Sequence, residues 1–360
     1  MKIIVDAMSG DNAPVEIVKG ALEARAEAGA DVVLTGRGED ILRCIDSLGM
    51  GKLPQGVEIS DATEVIDMDD DPATAVRVKK DASMTVGLNM LRDGHGDAMV
   101  SAGSTGALLS GATLIVKRVR GIRRAAMAPI IPNSAGGFIL IDCGANTECT
   151  PEYLLQFAFM GSFYAEDALG LSAPRVALLN NGTERAKGTP LQREAYELLE
   201  KAGGEGTIKF IGNVEGKEAM LGACDVLVTD GFTGNIMLKS VEGAASLIMS
   251  ELKGIYKSSI ITKISALMIK KHILALRARM DSDTTGGTML LGISKPVIKA
   301  HGSSKAPAIR GAIRQAVSAA GAATAQRLHD NMSLMTTQVR STIASGEDGE
   351  ERSENNGEPE

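Results

Sequence analysis

Glycine stands beside Asp, Asn, Ser, Thr or Lys in six short segments of this 360-residue chain. They are DAMSGDNAP (6–14), SAGSTGA (101–107), DCGANTE (142–148), NNGTERAKGT (180–189), TDGFTGNIMLK (229–239) and KAHGSS (299–304). Each alone is ordinary turn chemistry. Together they supply hydroxyls, amides, a few lysines, and backbone N–H groups that small residues leave open to close approach. That set suits holding an oxyanion and stabilising negative charge as it develops in a reaction.

Within these segments a few side chains stand out. Ser104 and Thr105, with the N–H groups of Gly103–Gly106, open a predicted helix, where an anion is welcome; a tight turn for packing needs the same residues. Asp6 and Asp11 flank AMSG, placed to orient a lysine or a substrate hydroxyl; for Asp11 alone, capping ahead of Pro14 is the better reading. Lys187 lies in a glycine-rich loop, where it could neutralise an anionic substrate or be simply solvated. Asn235 begins a helix as an oxyanion donor or as a cap, and Lys239 follows it by one turn. Cys143 has no His nearby in sequence to activate it, so a small buried thiol is favoured over an acyl-carrying nucleophile. His301, with Gly302 beside it, binds phosphate or caps local backbone.

Other chemistries lack their signatures. There is no GxxxxGKS/T loop, no GxGxxG after the first strand, no GxSxG elbow, and no HExxH or paired-His motif. No metal and no organic cofactor is expected. The four cysteines (44, 143, 149, 224) have no CxxC spacing and read as reduced thiols. Aromatic residues are 3% and Trp is absent, which argues against a stacking surface for bases or sugars. Net charge is −7, of which the last fourteen residues, EDGEERSENNGEPE, carry −6 from seven acids and one Arg; nucleic acid is not an expected partner.

The elements that must position these segments are legible as apolar runs. Strands are predicted at 2–7, 31–35, 57–61, 97–102, 126–131, 137–142, 175–180, 207–211, 225–229 and 297–301. Helices are predicted at 14–28, 38–48, 81–93, 104–118, 151–168, 189–202, 215–222 and 233–253. Such alternation predicts a three-layer α/β/α fold with a mostly parallel sheet, made mixed by a hairpin between MAPIIPN and GGFILID. One catalytic domain over 1–335 is expected, with an acidic disordered tail over 345–360. Ligands bind beyond the C-terminal ends of strands in such folds, which is where the six segments fall.

A further segment, SSIITKISALMIKKHILALRARM (258–280), sits within 254–282 and carries a different signal. Ile260, Ile261, Ile264, Leu267 and Met268 form one helical stripe, and every charge up to Asp281 is basic. That combination fits a protruding amphipathic helix on an anionic membrane; a dimer contact would use the same stripe. The chain starts directly in a strand and has no apolar run of spanning length. The expected location is the cytoplasm, with reversible attachment to the inner face of the cell membrane.

The ordered set IVDAMSGDNAP, KKDASM, SAGSTGA, IDCGAN, NNGTERAKGT, TDGFTGN and KAHGSS resembles the PlsX family, phosphate acyltransferases of bacterial phospholipid synthesis, from about residue 1 to 330. The resemblance implies a fold like phosphotransacetylases and isopropylmalate-type dehydrogenases, and a homodimer. It implies attack by inorganic phosphate on the acyl thioester of acyl carrier protein. The acyl phosphate formed would pass to a membrane acyl-phosphate:glycerol-3-phosphate acyltransferase. Lys187 and Asn235 are the positions most like the family's catalytic pair. Asp6, Gly103, Ser104, Thr105 and Gly106 are expected to bind phosphate or substrate, with Asn146 and Lys239 from the middle segments. His301, Gly302 and Ser303 complete that set. Where the family often carries Tyr-Gly-Gly-Ala-Pro-Leu-Leu-Gly, this chain has TGGTMLLG (285–292), which removes the Tyr. An acyltransferase acting on an acyl-CoA, or a non-catalytic membrane scaffold, are the competing expectations.

Overall fold

The structure, a computed structural model, describes residues 1–280, 286–322 and 324–331. The acidic tail expected over 345–360 lies outside the described residues. In place of one sheet, the strands form two, one of seven and one of five. The larger holds β1 (Lys2–Asp6), β2 (Asp31–Gly36), β3 (Val57–Asp61), β4 (Ala98–Ser101), β5 (Ala126–Ala128), β11 (Thr288–Leu291) and β12 (Val297–Lys299), ordered β3-β2-β1-β4-β12-β11-β5. The smaller holds β6 (Ile130–Ile131), β7 (Phe138–Ile141), β8 (Arg175–Leu179), β9 (Lys209–Val214) and β10 (Val226–Val228), ordered β6-β7-β10-β8-β9.

The predicted strand 126–131 is therefore divided. Ala126–Ala128 pairs antiparallel with β11, while Ile130 and Ile131 form the expected hairpin with Ile139 and Phe138. Pro129 stands at the break, where its missing N–H leaves a ladder position empty. One chain segment thus stitches the two sheets together.

Strand residues alternate between two apolar layers, as a sheet covered on both faces requires. Ile3, Val5, Ile139 and Ile141 pack on one face with α1 (Val15–Ala28), α6 (Pro151–Leu169) and the helix Ala306–Ala322, here α11. Ile4, Met99, Leu140 and Leu227 pack on the other with α4 (Ser83–Asp93) and α5 (Thr105–Gly111). Each layer draws on both sheets, so the core runs through the join. Phe157 of α6 is fully buried there; its truncation to Ala would cost ~3–5 kcal/mol. The close approach of α1 and α11 needs Gly20, where a Cβ would lie 2.7 Å from that of Ile309.

The remaining helices are α2 (Gly38–Ser47), α3 (Ala75–Val78), α7 (Pro190–Gly204), α8 (Gly216–Met220), α9 (Gly231–Lys257), α10 (Ile260–Met280) and α12 (Thr324–Asp330). α5 runs on into a π-helical turn over Ala112–Val116. α9 and α10 form a helical hairpin. Its turn is closed reciprocally: Ser259 N donates to Thr262 Oγ1 at 3.0 Å and Thr262 N to Ser259 Oγ at 3.1 Å. The stripe of Ile260, Ile261, Ile264, Leu267 and Met268 is 59–81% exposed. Among the described residues no helix is long and apolar enough to cross a membrane.

Candidate functional site

Three neighbouring strands of the larger sheet, β1, β4 and β12, end in segments predicted to bind a ligand. Lys299 is the register partner of Ser101, and Asp6 stands one rung past the Val5–Val100 pair. Asp6, Ser101 and Lys299 therefore form one row across the sheet, with side chains on one face. Asp6 is fully buried and accepts hydrogen bonds from Ser83 Oγ (2.6 Å) and Ser101 Oγ (2.7 Å). It shares its row with Lys299 and acts on it electrostatically.

Lys299 is 7% exposed, and its Nζ donates to the carbonyl of Ala300. Burial pushes its ammonium down to about 8, opposed by Asp6 and Asp11 and reinforced by Lys239. Lys239 belongs to α9, whose first turn stands at the strand ends of the smaller sheet. Lys239 itself is exposed and pairs with Glu242 at 2.8 Å.

Above this row the backbone closes tightly. Asp11 N donates to Gly302 O at 2.8 Å, and Asn12 Nδ2 to Ser303 O at 2.9 Å, joining the first and last segments. His301 Nδ1 lies 2.9 Å from Ser303 Oγ, and both side chains are exposed. Ser104 caps α5, accepting from Ala107 N at 3.5 Å. Thr105 and Gly106 follow it, half-buried. Gly103 is held against Ser9, whose buried hydroxyl has no hydrogen-bond partner.

On the smaller sheet, Asp142 follows β7 and organises the loop behind it. It accepts from the backbone N–H groups of Met127, Cys143, Ala145 and Asn146, and from Asn146 Nδ2. Burial nevertheless pushes its carboxyl above the usual range. Asn146 spends its amide on Asp142 and on Ala125 O, so it ties the loop to β5. The first turn of α9 rests on this loop. A Cβ at Gly234 would come within 2.0 Å of the Asp142 carbonyl oxygen, which explains a helix opening with glycines. Asp230 caps α9 through Thr233 N at 2.8 Å. Asn235 is exposed on that first turn.

Lys187 is also exposed, on the loop after β8. Asn180 spans the loop, donating to Lys187 O at 3.1 Å, and Gly188 (φ +92°) completes the turn into α7. β8 and β10 are neighbours, so Lys187 and Asn235 leave the same rim, and no hydrogen bond joins them. Cys143 is 3% exposed with Sγ 3.7 Å from Gly234 O, and burial pushes its thiol up to about 12. It is no activated nucleophile.

Lys299 and the buried hydroxyl of Ser9 are the side chains that sequence reasoning did not single out. The signal for Lys299 was a charge closing the apolar strand VIK. Among the described residues no group of three or more His, Cys, Asp or Glu side chains is placed to hold a metal. A pocket of about 360 Å³, lined by Lys2, Glu58, His95 and Asp97 among others, lies at the opposite ends of the strands and brings together none of the predicted site residues.

A profile of the family described as fatty acid synthesis protein matches residues 1–327. The phosphate acyltransferase of Thermoanaerobacter pseudethanolicus is 46% identical over 317 residues, covering 88% of this chain and 92% of that protein. The phosphate acyltransferase of Lactococcus lactis subsp. lactis is 44% identical over 319 residues, covering 88% and 93%. In fold, a crystal structure of a phosphotransacetylase from Streptococcus pyogenes is similar, with a TM-score of 0.60, 19% identity and coverage of 89% and 94%.

Proposed function

The chain belongs to the fatty acid synthesis protein family, whose members here are phosphate acyltransferases, and from that premise we propose that it moves a long-chain acyl group from acyl carrier protein to inorganic phosphate. The acyl phosphate then serves phospholipid synthesis through a membrane enzyme that transfers it to glycerol 3-phosphate. A phosphate oxygen attacks the thioester carbon, the tetrahedral oxyanion collapses, and the carrier's thiolate leaves and takes up a proton. No acyl-enzyme is involved, in keeping with the unactivated thiol of Cys143.

The observation that carries this reading is the row at the strand ends of the larger sheet, where the Ser104-capped turn stands beside the buried Lys299; the α9 start with Asn235 and Lys239, at the strand ends of the smaller sheet, supports it. Phosphate would be held by Ser104, Thr105 and the N–H groups of Gly103–Gly106, with Lys239, His301, Gly302 and Ser303 close by. Asn235 would donate to the thioester oxygen while Lys187 offsets its charge. The exposed stripe of α10 would hold the enzyme reversibly to anionic lipid, and the exposed Leu247, Ile248 and Ile255 of α9 support a homodimer.

The deciding assay is incubation with palmitoyl carrier protein, with and without phosphate. Phosphate-dependent loss of thioester with matching acyl phosphate is expected. Consumption of a short acyl-CoA but not of the carrier thioester would favour an acyl-CoA enzyme, and no turnover of either would leave a scaffold.

A further inference from the structure

A lysine that is nine-tenths buried is costly unless something pairs with it. Lys299 is 7% exposed, and no carboxylate among the described residues lies within ion-pair distance of it. Its one hydrogen bond, to Ala300 O, leaves two of three N–H donors unspent. Asp6, in the same row, accepts from Ser83 and Ser101 and forms no ion pair with the lysine. Asp11, which also faces it, is exposed. Lys239 of α9, itself paired with Glu242, offers it no counter-charge.

We propose that Lys299 is a binding residue for the phosphate substrate, directing its two free N–H donors at phosphate oxygens beyond the ends of β1, β4 and β12. This rests on the reading of the site as one that uses inorganic phosphate. The Ser101 hydroxyl, donating to Asp6, holds the row beneath the lysine. An anion there would supply the ion-pair partner that no described carboxylate provides.

The sign of the pH dependence follows. Binding needs the ammonium, and in the free protein burial sets its titration at about 8, against Asp6 and Asp11 and with Lys239. The lysine's share of phosphate affinity is therefore complete below that pH and is lost as pH rises through it. Arginine stays charged throughout.

Calorimetric titration of the full chain with inorganic phosphate, from about pH 7 to about pH 10, tests this. Wild-type affinity is expected to fall ~10-fold per pH unit above the lysine's titration, and that loss disappears in Lys299→Arg. Lys299→Met is expected to weaken phosphate ~10- to 100-fold at neutral pH, the loss for one charge-assisted hydrogen bond. KM for the carrier thioester stays unchanged. A folded Lys299→Met protein with wild-type phosphate affinity overturns the assignment. So does an alkaline loss that persists in Lys299→Arg, which decides the matter if the Met variant does not fold. Phosphate binding that depends on Lys299 without any thioester turnover would sink the proposed reaction and leave this site standing. Turnover with Lys299-independent binding would do the reverse.

Discussion

Asn213 donates its side-chain amide to the carbonyl of Glu184 at 2.9 Å, tying the end of β9 to the loop that presents Lys187. Asn213 is 5% exposed, so the tie is shielded from water. Asn213→Ala should cost ~1 kcal/mol in stability. It should lower kcat by loosening the lysine's placement while Lys187 itself is intact. A thermal melt with steady-state kinetics checks this; unchanged kcat in the destabilised variant would make the tie purely structural.

Lys187→Ala and Asn235→Ala should each lower kcat while the fold persists. Loss of one donor to a developing oxyanion costs ~10²–10³ in rate. Both side chains are exposed, so circular dichroism should be unchanged. Near-normal turnover in both would remove them from the chemistry.

Cys143→Ala should stay active, because phosphate is itself the nucleophile. Burial pushes the Cys143, Cys149 and Cys224 thiols up to about 12, so near neutral pH all three are protonated and only weakly nucleophilic. Iodoacetamide near neutral pH should label the folded protein slowly and leave its activity in place. A folded but inactive Cys143→Ala would point to an acyl-enzyme instead.

Replacing both Ile261 and Leu267 by Glu should release the protein from anionic vesicles without loss of turnover on soluble substrate. Both residues are more than three-quarters exposed, at 77% and 76%, so the change should not disturb the core. Each large aliphatic side chain contributes ~1.5–3 kcal/mol when fully buried, and an interfacial helix gains part of that. Each Lys or Arg adds ~1 kcal/mol at an anionic surface. Vesicle sedimentation reads the effect. A double variant that still sediments, or one that falls apart as a dimer, would assign the stripe to protein contact.

Much of the strand-and-helix alternation was legible, because buried parallel strands are apolar runs and glycine marks their ends. The division of 126–131 was not, since alternation is the same whichever sheet accepts a strand. β11 was missed because TMLL is four residues long and its sequence neighbour in the sheet, β12, is only three. The Ala-rich α11 was likewise absent from the sequence reading, its apolar face built from residues too small to mark a period. At the site, Ser104 announced itself by type. Lys299 did not, because a lysine at a strand end reads as solvated until the strands on either side are known.

The order of strands in the larger sheet also constrains the birth of the protein. β12 and β11 lie between β4 and β5, yet among the described strands they are the last to be synthesised, after those of the smaller sheet. Until residues 288–299 emerge, β4 and β5 each keep an open, apolar edge, the kind of surface on which nascent chains adhere to one another. The sheet can close only by contacts spanning most of the polypeptide, and such pairings are slow. A ribosome that stalls before that point would yield a chain with its helical hairpin made and its central strands missing.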